Sequence, residues 1–177
     1  MPRKNLPFVK LLKLAYSAEM AAAFAYRGHW KSVKNSQQKE QIKKIEEEEW
    51  QHRKLIGEML AKLNEQPSAW KENKFWIIGK TLGFLCYFTG WLAPMYGAGK
   101  LENGNIKEYE VAARFARECG YLEWADCLLT MAEVEWEHEK YFRLQVLSDA
   151  WGRKIVLWPL PLPKENIRKS FQKEFDL

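Results

Sequence analysis

The pattern Glu-Trp-x-His occurs twice in this chain, and it constrains the fold more than any other feature. Residues 49–52 read Glu-Trp-Gln-His and residues 135–138 read Glu-Trp-Glu-His, with Lys54 and Lys140 two residues beyond each histidine. On a helix, residues three apart share a face, so each Glu and His pair addresses one point. The surrounding apolar residues say where that point lies. Ile42, Ile45, Glu49, His52, Ile56 and Met59 follow one another at steps of three and four, as do Leu128, Met131, Glu135, His138 and Phe142. That spacing marks the core stripe of a helix. A lone carboxylate in such a stripe is costly or is forced neutral. Neither stripe contains a Lys or Arg to balance the charge; a metal ion would.

Periodicity and breaks predict helices over about 8–33, 37–63, 73–118 and 121–150, separated by Asn35-Ser36, Asn64 to Pro67 and Cys119-Gly120. No strand pattern competes. The fold class is all-α, an antiparallel four-helix bundle in which a long crossover joins helices 2 and 3. A chain of 177 residues fits a single domain over 1–177. The bundle occupies about 8–150, and a proline-containing tail, 152–177, follows. Within that tail, Trp158-Pro-Leu-Pro-Leu-Pro163 is extended, and a short helix is expected after it.

The other two helices supply further carboxylates. Glu19 shares its face with Leu12, Tyr16, Ala22, Ala23 and Tyr26. The third helix offers Glu102, Glu108 and Glu110. Antiparallel residues equally far from their turn stand at equal height. Glu19 and Glu49 lie evenly about Lys34, beside the first turn, and Glu108 and Glu135 lie evenly about a point between Tyr121 and Leu122, beside Gly120 at the second. Glu108 also has Phe115 seven residues later, as Glu19 has Tyr26. Glu108 is therefore favoured, with Glu110 and Glu102 as the alternatives. The expected metal ligands are Glu19, Glu49, His52, Glu108, Glu135 and His138. Carboxylates with imidazoles suit two iron ions, with manganese as the alternative metal. One Glu from each of two helices, and Glu-x-x-His from each of the other two, is the arrangement already established for ferritin-like di-iron bundles. Glu46 to Glu48 read mostly as a solvated face, and Glu137 and His29 as groups that could touch ligands from behind.

Residues 81–99 carry no charge, a run of 19. Gly83, Gly90, Gly97 and Gly104 punctuate this region at seven-residue steps, which on one helix would make a smooth strip. Pro94 is expected to kink that helix. Two readings stay open. One is a buried crossover segment; the other is a face that meets the membrane interface or lines a channel for a lipid substrate. A true membrane span would take the helix out of the bundle. Nine tryptophans and a net charge of +5 suit an anionic membrane surface. No dense Lys/Arg block indicates nucleic acid. Three cysteines without a Cys-x-x-Cys pair exclude a disulfide framework and make an intracellular, reducing compartment the default. Met1 to Lys10 lacks the apolar run of a signal peptide.

Over roughly residues 8–147 the chain resembles the ferritin-like superfamily and, within it, the demethoxyubiquinone hydroxylase family of ubiquinone biosynthesis. The resemblance rests on the ligand pattern, on the step of 30 residues from Glu19 to Glu49, and on the apolar, glycine-rich stretch from Ile78 to Gly99 that leads to a ligand Glu followed by an aromatic residue. It implies that Glu49 and Glu135 bridge the two irons, with Glu19 and His52 completing one and Glu108 and His138 the other. It further implies peripheral docking on a membrane, or a cytoplasmic protein if the apolar helix is buried. The implied reaction is hydroxylation of a prenylated quinone or quinol ring with dioxygen. The reductant is left open, and a homo-oligomer is compatible. Two features depart from the family: a short turn between helices 3 and 4, and the stretch Phe115 to Tyr121, which looks more like rubrerythrin. A rubrerythrin-like peroxidase or oxidase and a non-enzymatic iron-binding protein are therefore the alternatives.

Overall fold

Asn35 sets the first helical hairpin. Its side-chain oxygen accepts from the Gln38 N–H at 3.0 Å and caps the second helix. The computed structural model describes residues 6–175. They form α1 (Leu6–Ser32), α2 (Ser36–Lys62), α3 (Ala69–Leu85), α4 (Leu92–Glu118), α5 (Leu122–Ser148) and α6 (Glu165–Phe175), with a 3-10 turn at Gly152–Lys154. No strand occurs among the described residues, so the all-α expectation holds. The described residues divide into two units, 6–94 and 95–175.

In the first unit the expected stripe of α2 is inside: Ile42, Ile45, Glu49, His52, Ile56 and Met59 are all buried. Phe8, Leu12, Ala23 and Tyr26 bury the facing side of α1. The third helix packs on α1 through its backbone. A Cβ on Gly28 of α1 would stand 2.1 Å from the Gly83 carbonyl oxygen, and one on Gly79 would stand 2.5 Å from that of Ala21. Only glycine allows such an approach. Glu72 fixes the other end of α3, accepting from Ser17 Oγ at 2.6 Å and pairing with Arg53 of α2. The rest of α3 is bare: Trp70, Trp76, Ile77, Phe84, Leu85 and, just beyond, Phe88 are exposed.

The single kinked helix expected over 73–118 is instead two helices, broken at residues 86–91. Pro94 causes no kink, because it is the third residue of α4, where a missing N–H costs no helical hydrogen bond. The heptad glycines therefore do not share a strip. Gly83 meets α1, Gly90 sits in the break at φ +74°, and Gly97 and Gly104 lie on an exposed side of α4 with nothing near a built Cβ. No helix among the described residues is long and apolar enough to cross a membrane.

In the second unit α4 ends in a Schellman turn. Tyr121 N–H donates to Ala116 O at 2.8 Å, Gly120 N–H donates to Arg117 O at 2.9 Å, and Gly120 takes φ +86°. Leu128, Met131, Glu135, His138 and Phe142 form the buried stripe of α5, as expected. The chain then turns back, and α6 buries Ile167 and Phe171. Arg168 holds α6 to α5 through Glu133 and Asp126.

Two outcomes follow from this packing. Gly28→Ala or Gly83→Ala must push α1 and α3 apart and should lower unfolding free energy by roughly 1–3 kcal/mol. Gly97→Ala and Gly104→Ala meet open space and should be neutral or stabilising by up to about 1 kcal/mol; chemical denaturation separates the two pairs. His29 is 3% exposed, and burial pulls its pKa down to about 4. The unfolded chain therefore binds the extra proton between pH 6.5 and 4, and stability falls as pH drops through that window, by about 3 kcal/mol in all. His29→Gln should flatten that slope in denaturation curves measured at several pH values.

Candidate metal centre

Each unit buries one group of two carboxylates and an imidazole. In the first, Glu19 comes from α1, and Glu49 and His52 come from one face of α2; one ligand atom from each lies within 4.8 Å of the others. In the second, Glu102 comes from α4, and Glu135 and His138 come from α5, within the same limit. All six are at most 4% exposed. The histidines turn Nδ1 toward a carboxylate oxygen in both cases, at 3.9 Å for His52 and Glu19 and at 3.4 Å for His138 and Glu135. The first distance is beyond hydrogen-bond reach.

The α4 carboxylate differs from expectation. Glu108 is exposed and Glu110 half-buried, whereas Glu102 is fully buried beside Glu135 and His138. The helix geometry explains it. Met95, Gly99, Glu102, Ile106, Tyr109 and Ala113 are all buried and follow at steps of four and three, the same rule that singled out Glu49 and Glu135. Glu108 is one residue from Tyr109, hence about 100° around the helix from that stripe. The aromatic residue seven positions on does not discriminate, since Glu102 has Tyr109 there. Gly97 and Gly104 lie across α4 from Glu102.

Two further buried acids flank the groups. Glu46, read from sequence as mostly solvated, is 5% exposed and accepts from Arg27 Nε at 2.7 Å and from the indoles of Trp30 at 2.6 Å and Trp50 at 3.2 Å. Glu139, not singled out from sequence, accepts from Arg143 Nε at 2.7 Å and from the Trp158 indole at 2.6 Å. Their spacing held the signal: Glu46 precedes Glu49 by three residues and Glu139 follows Glu135 by four, so each shares a ligand face. Glu137, by contrast, is exposed and paired with Lys164 at 2.8 Å.

The donor chemistry fits iron or manganese. Oxygen and imidazole nitrogen make up both groups, and no thiol belongs to either; Cys86, Cys119 and Cys127 form no disulfide and are half-buried. A family model described as Ubiquinone biosynthesis protein COQ7 matches residues 8–109, more than half of the chain. The chain belongs to this COQ7 family. No curated protein and no solved structure matches it. The ferritin-like, all-helical class implied by the motif pair is thus the class of its family, and the resemblance noted in the sequence named the right one. The COQ7 match spans Glu19, Glu49, His52 and both Glu102 and Glu108, and ends at Tyr109, before α5.

Metal analysis distinguishes the two α4 acids. Glu108→Ala should retain the iron content of the unmodified protein, whereas Glu102→Ala should lose about half of it, with an affinity loss on the order of 10-fold or more. Equal retention in both variants would remove Glu102 from the centre.

Proposed function

We propose that this COQ7-family chain is a di-iron monooxygenase that hydroxylates the ring of a prenylated quinone or quinol. The observation that carries the reading is the pair of matching buried groups, Glu19 with Glu49 and His52, and Glu102 with Glu135 and His138, in a chain of this family. Glu19, Glu49 and His52 would hold one iron and Glu102, Glu135 and His138 the other, with Glu102 in place of Glu108 as the α4 ligand. Iron held by these residues would supply the reduction of dioxygen. One oxygen atom then replaces a ring hydrogen as hydroxyl, and the other leaves as water with two electrons and two protons from an external reductant.

The protein's own residues set the conditions. The ligands stand on helices rather than loops, so their positions are fixed by packing. Apolar neighbours such as Ile45, Ile56, Met131 and Phe142 exclude water from each group. Glu46 and Glu139 are bound to guanidinium and indole groups, and they brace the helix turns that carry Glu49, Glu135 and His138. The exposed apolar face of α3, with Phe84 and Phe88, supports contact with a membrane in which a prenyl-tailed substrate is dissolved.

Oxygen-18 labelling tests the reaction. The iron-loaded, reduced protein is given a demethoxyquinone analogue in detergent under labelled dioxygen. One labelled atom should appear in the ring product, and Glu135→Ala should abolish it. Rapid reduction of hydrogen peroxide with no label in the ring would replace this reading with a peroxidase.

A further inference from the structure

Beyond α5 the chain returns across the second unit as residues 151–164, of which only Gly152 and Trp158 are buried. Side chains of α4 and α5 hold the backbone on either side of Trp158. Tyr96 donates to Val156 O at 3.0 Å, and Arg143 donates to Pro159 O at 3.0 Å. The point at which the indole enters the unit is thereby fixed. A segment kept for burial alone would turn more of its apolar side chains inward. This one leaves Val156, Leu160 and Leu162 exposed and commits a single ring.

That ring reaches both helices that carry the second group of ligands. On α4 it takes the space left open by Gly99, where a Cβ would stand 2.3 Å from Trp158 Cζ2. Gly99 precedes Glu102 by three residues, so the two share a helix face. On α5 the indole N–H donates to Glu139 Oε1 at 2.6 Å. Glu139 follows His138 directly and Glu135 by four residues. The Arg143 guanidinium donates to the same oxygen at 2.7 Å and lies over the indole ring at 4.9 Å.

The first group is braced from within. Glu46, three residues before Glu49, accepts from Arg27, Trp30 and Trp50. All three belong to α1 and α2, the helices that carry Glu19, Glu49 and His52. Each unit thus places a guanidinium and an indole N–H on a buried acid beside its ligands. Only the second draws its indole from outside the ligand-bearing helices.

We infer that Trp158 is a positioning residue for the second metal group. It holds the α4 turn before Glu102 and the α5 turn of His138 in the register that binding requires. The segment after α5 therefore sets the affinity of one metal ion and not of the other. Indole nitrogen is a donor only, so Trp158 acts through Gly99 and Glu139 and not as a ligand. The inference rests on the reading of Glu102, Glu135 and His138 as metal ligands, and not on the reaction proposed for them.

Titration of the full chain, stripped of metal, with Mn(II) tests it, with free metal read by electron spin resonance. The unmodified protein should take up two equivalents. Trp158→Phe keeps an aromatic ring for the seat at Gly99 but leaves Glu139 without the indole N–H. It should weaken one equivalent by about 10-fold and leave the other unchanged. Gly99→Ala, which displaces the indole from the α4 side, should weaken that same equivalent. Phe171→Ala controls for a general loss of stability, because Phe171 is buried on α6, outside this segment. It should lower the melting temperature and leave both affinities as they were. Two equivalents bound by Trp158→Phe with unaltered affinity would overturn the inference. So would an equal weakening in Phe171→Ala, which would reduce Trp158 to packing. Either result leaves the metal ligands standing. An unmodified protein that binds fewer than two equivalents would overturn the metal reading and this inference with it. One that binds two and fails to hydroxylate the ring would strike the proposed reaction alone.

Discussion

Carboxylates inside a helical core are the constraint around which this chain is organised. A buried acid needs compensation close by, or it takes up a proton. The chain uses two kinds of neighbour for this. Glu46 and Glu139 are each given a guanidinium and at least one indole N–H. Arginine cannot release its proton in a protein, so these acids are permanently committed to structure. Glu19, Glu49, Glu102 and Glu135 are grouped instead with His52 and His138. A neutral imidazole donates a lone pair and can share an ion with a carboxylate. The choice of neighbour separates acids that hold the helices from acids that can hold a metal.

The two units carry the same motif and finish it differently. In the first, α3 is laid on α1 with backbone against backbone at Gly28, Gly79 and Gly83. Such a contact takes up no side-chain volume, so the large apolar residues of α3 are left on its other sides. The arrangement that packs the helix closely therefore also produces its exposed apolar face. In the second unit residues 151–164 are held mainly by hydrogen bonds to their carbonyls and by one inward tryptophan. Here too the remaining apolar side chains have nowhere to go but out.

The stripes of α2 and α5 were legible because a polar residue at a core position breaks an otherwise regular apolar pattern. The hairpin turns were legible for a local reason: Asn35 caps and Gly120 adopts a positive φ. Glu102 was ranked behind Glu108 because height along the helix was weighed and angle around it was not. Two acids six residues apart can both look plausible in height, yet only Glu102 falls in the buried stripe through Met95, Ile106 and Tyr109. The break between α3 and α4 was missed for a related reason. An uncharged run with evenly spaced glycines reads as one helix until Gly90 adopts a conformation that a helix does not contain.

Glycine spacing alone carries no information about which neighbour will use it. Gly83 and Gly97 are two members of one heptad series, but one touches another backbone and the other faces open space. What separates them is the partner. Gly83 lies opposite Gly28, and Gly79 opposite Ala21, so small residues on α1 meet small residues on α3. The exposed face of α4 at Gly97 and Gly104 has no such counterpart. Close packing is thus a property of a matched pair of helices. The buried acids need both halves as well: the stripe of α4 turns Glu102 inward, and Glu135 and His138 stand beside it because α5 turns its own stripe to the same place.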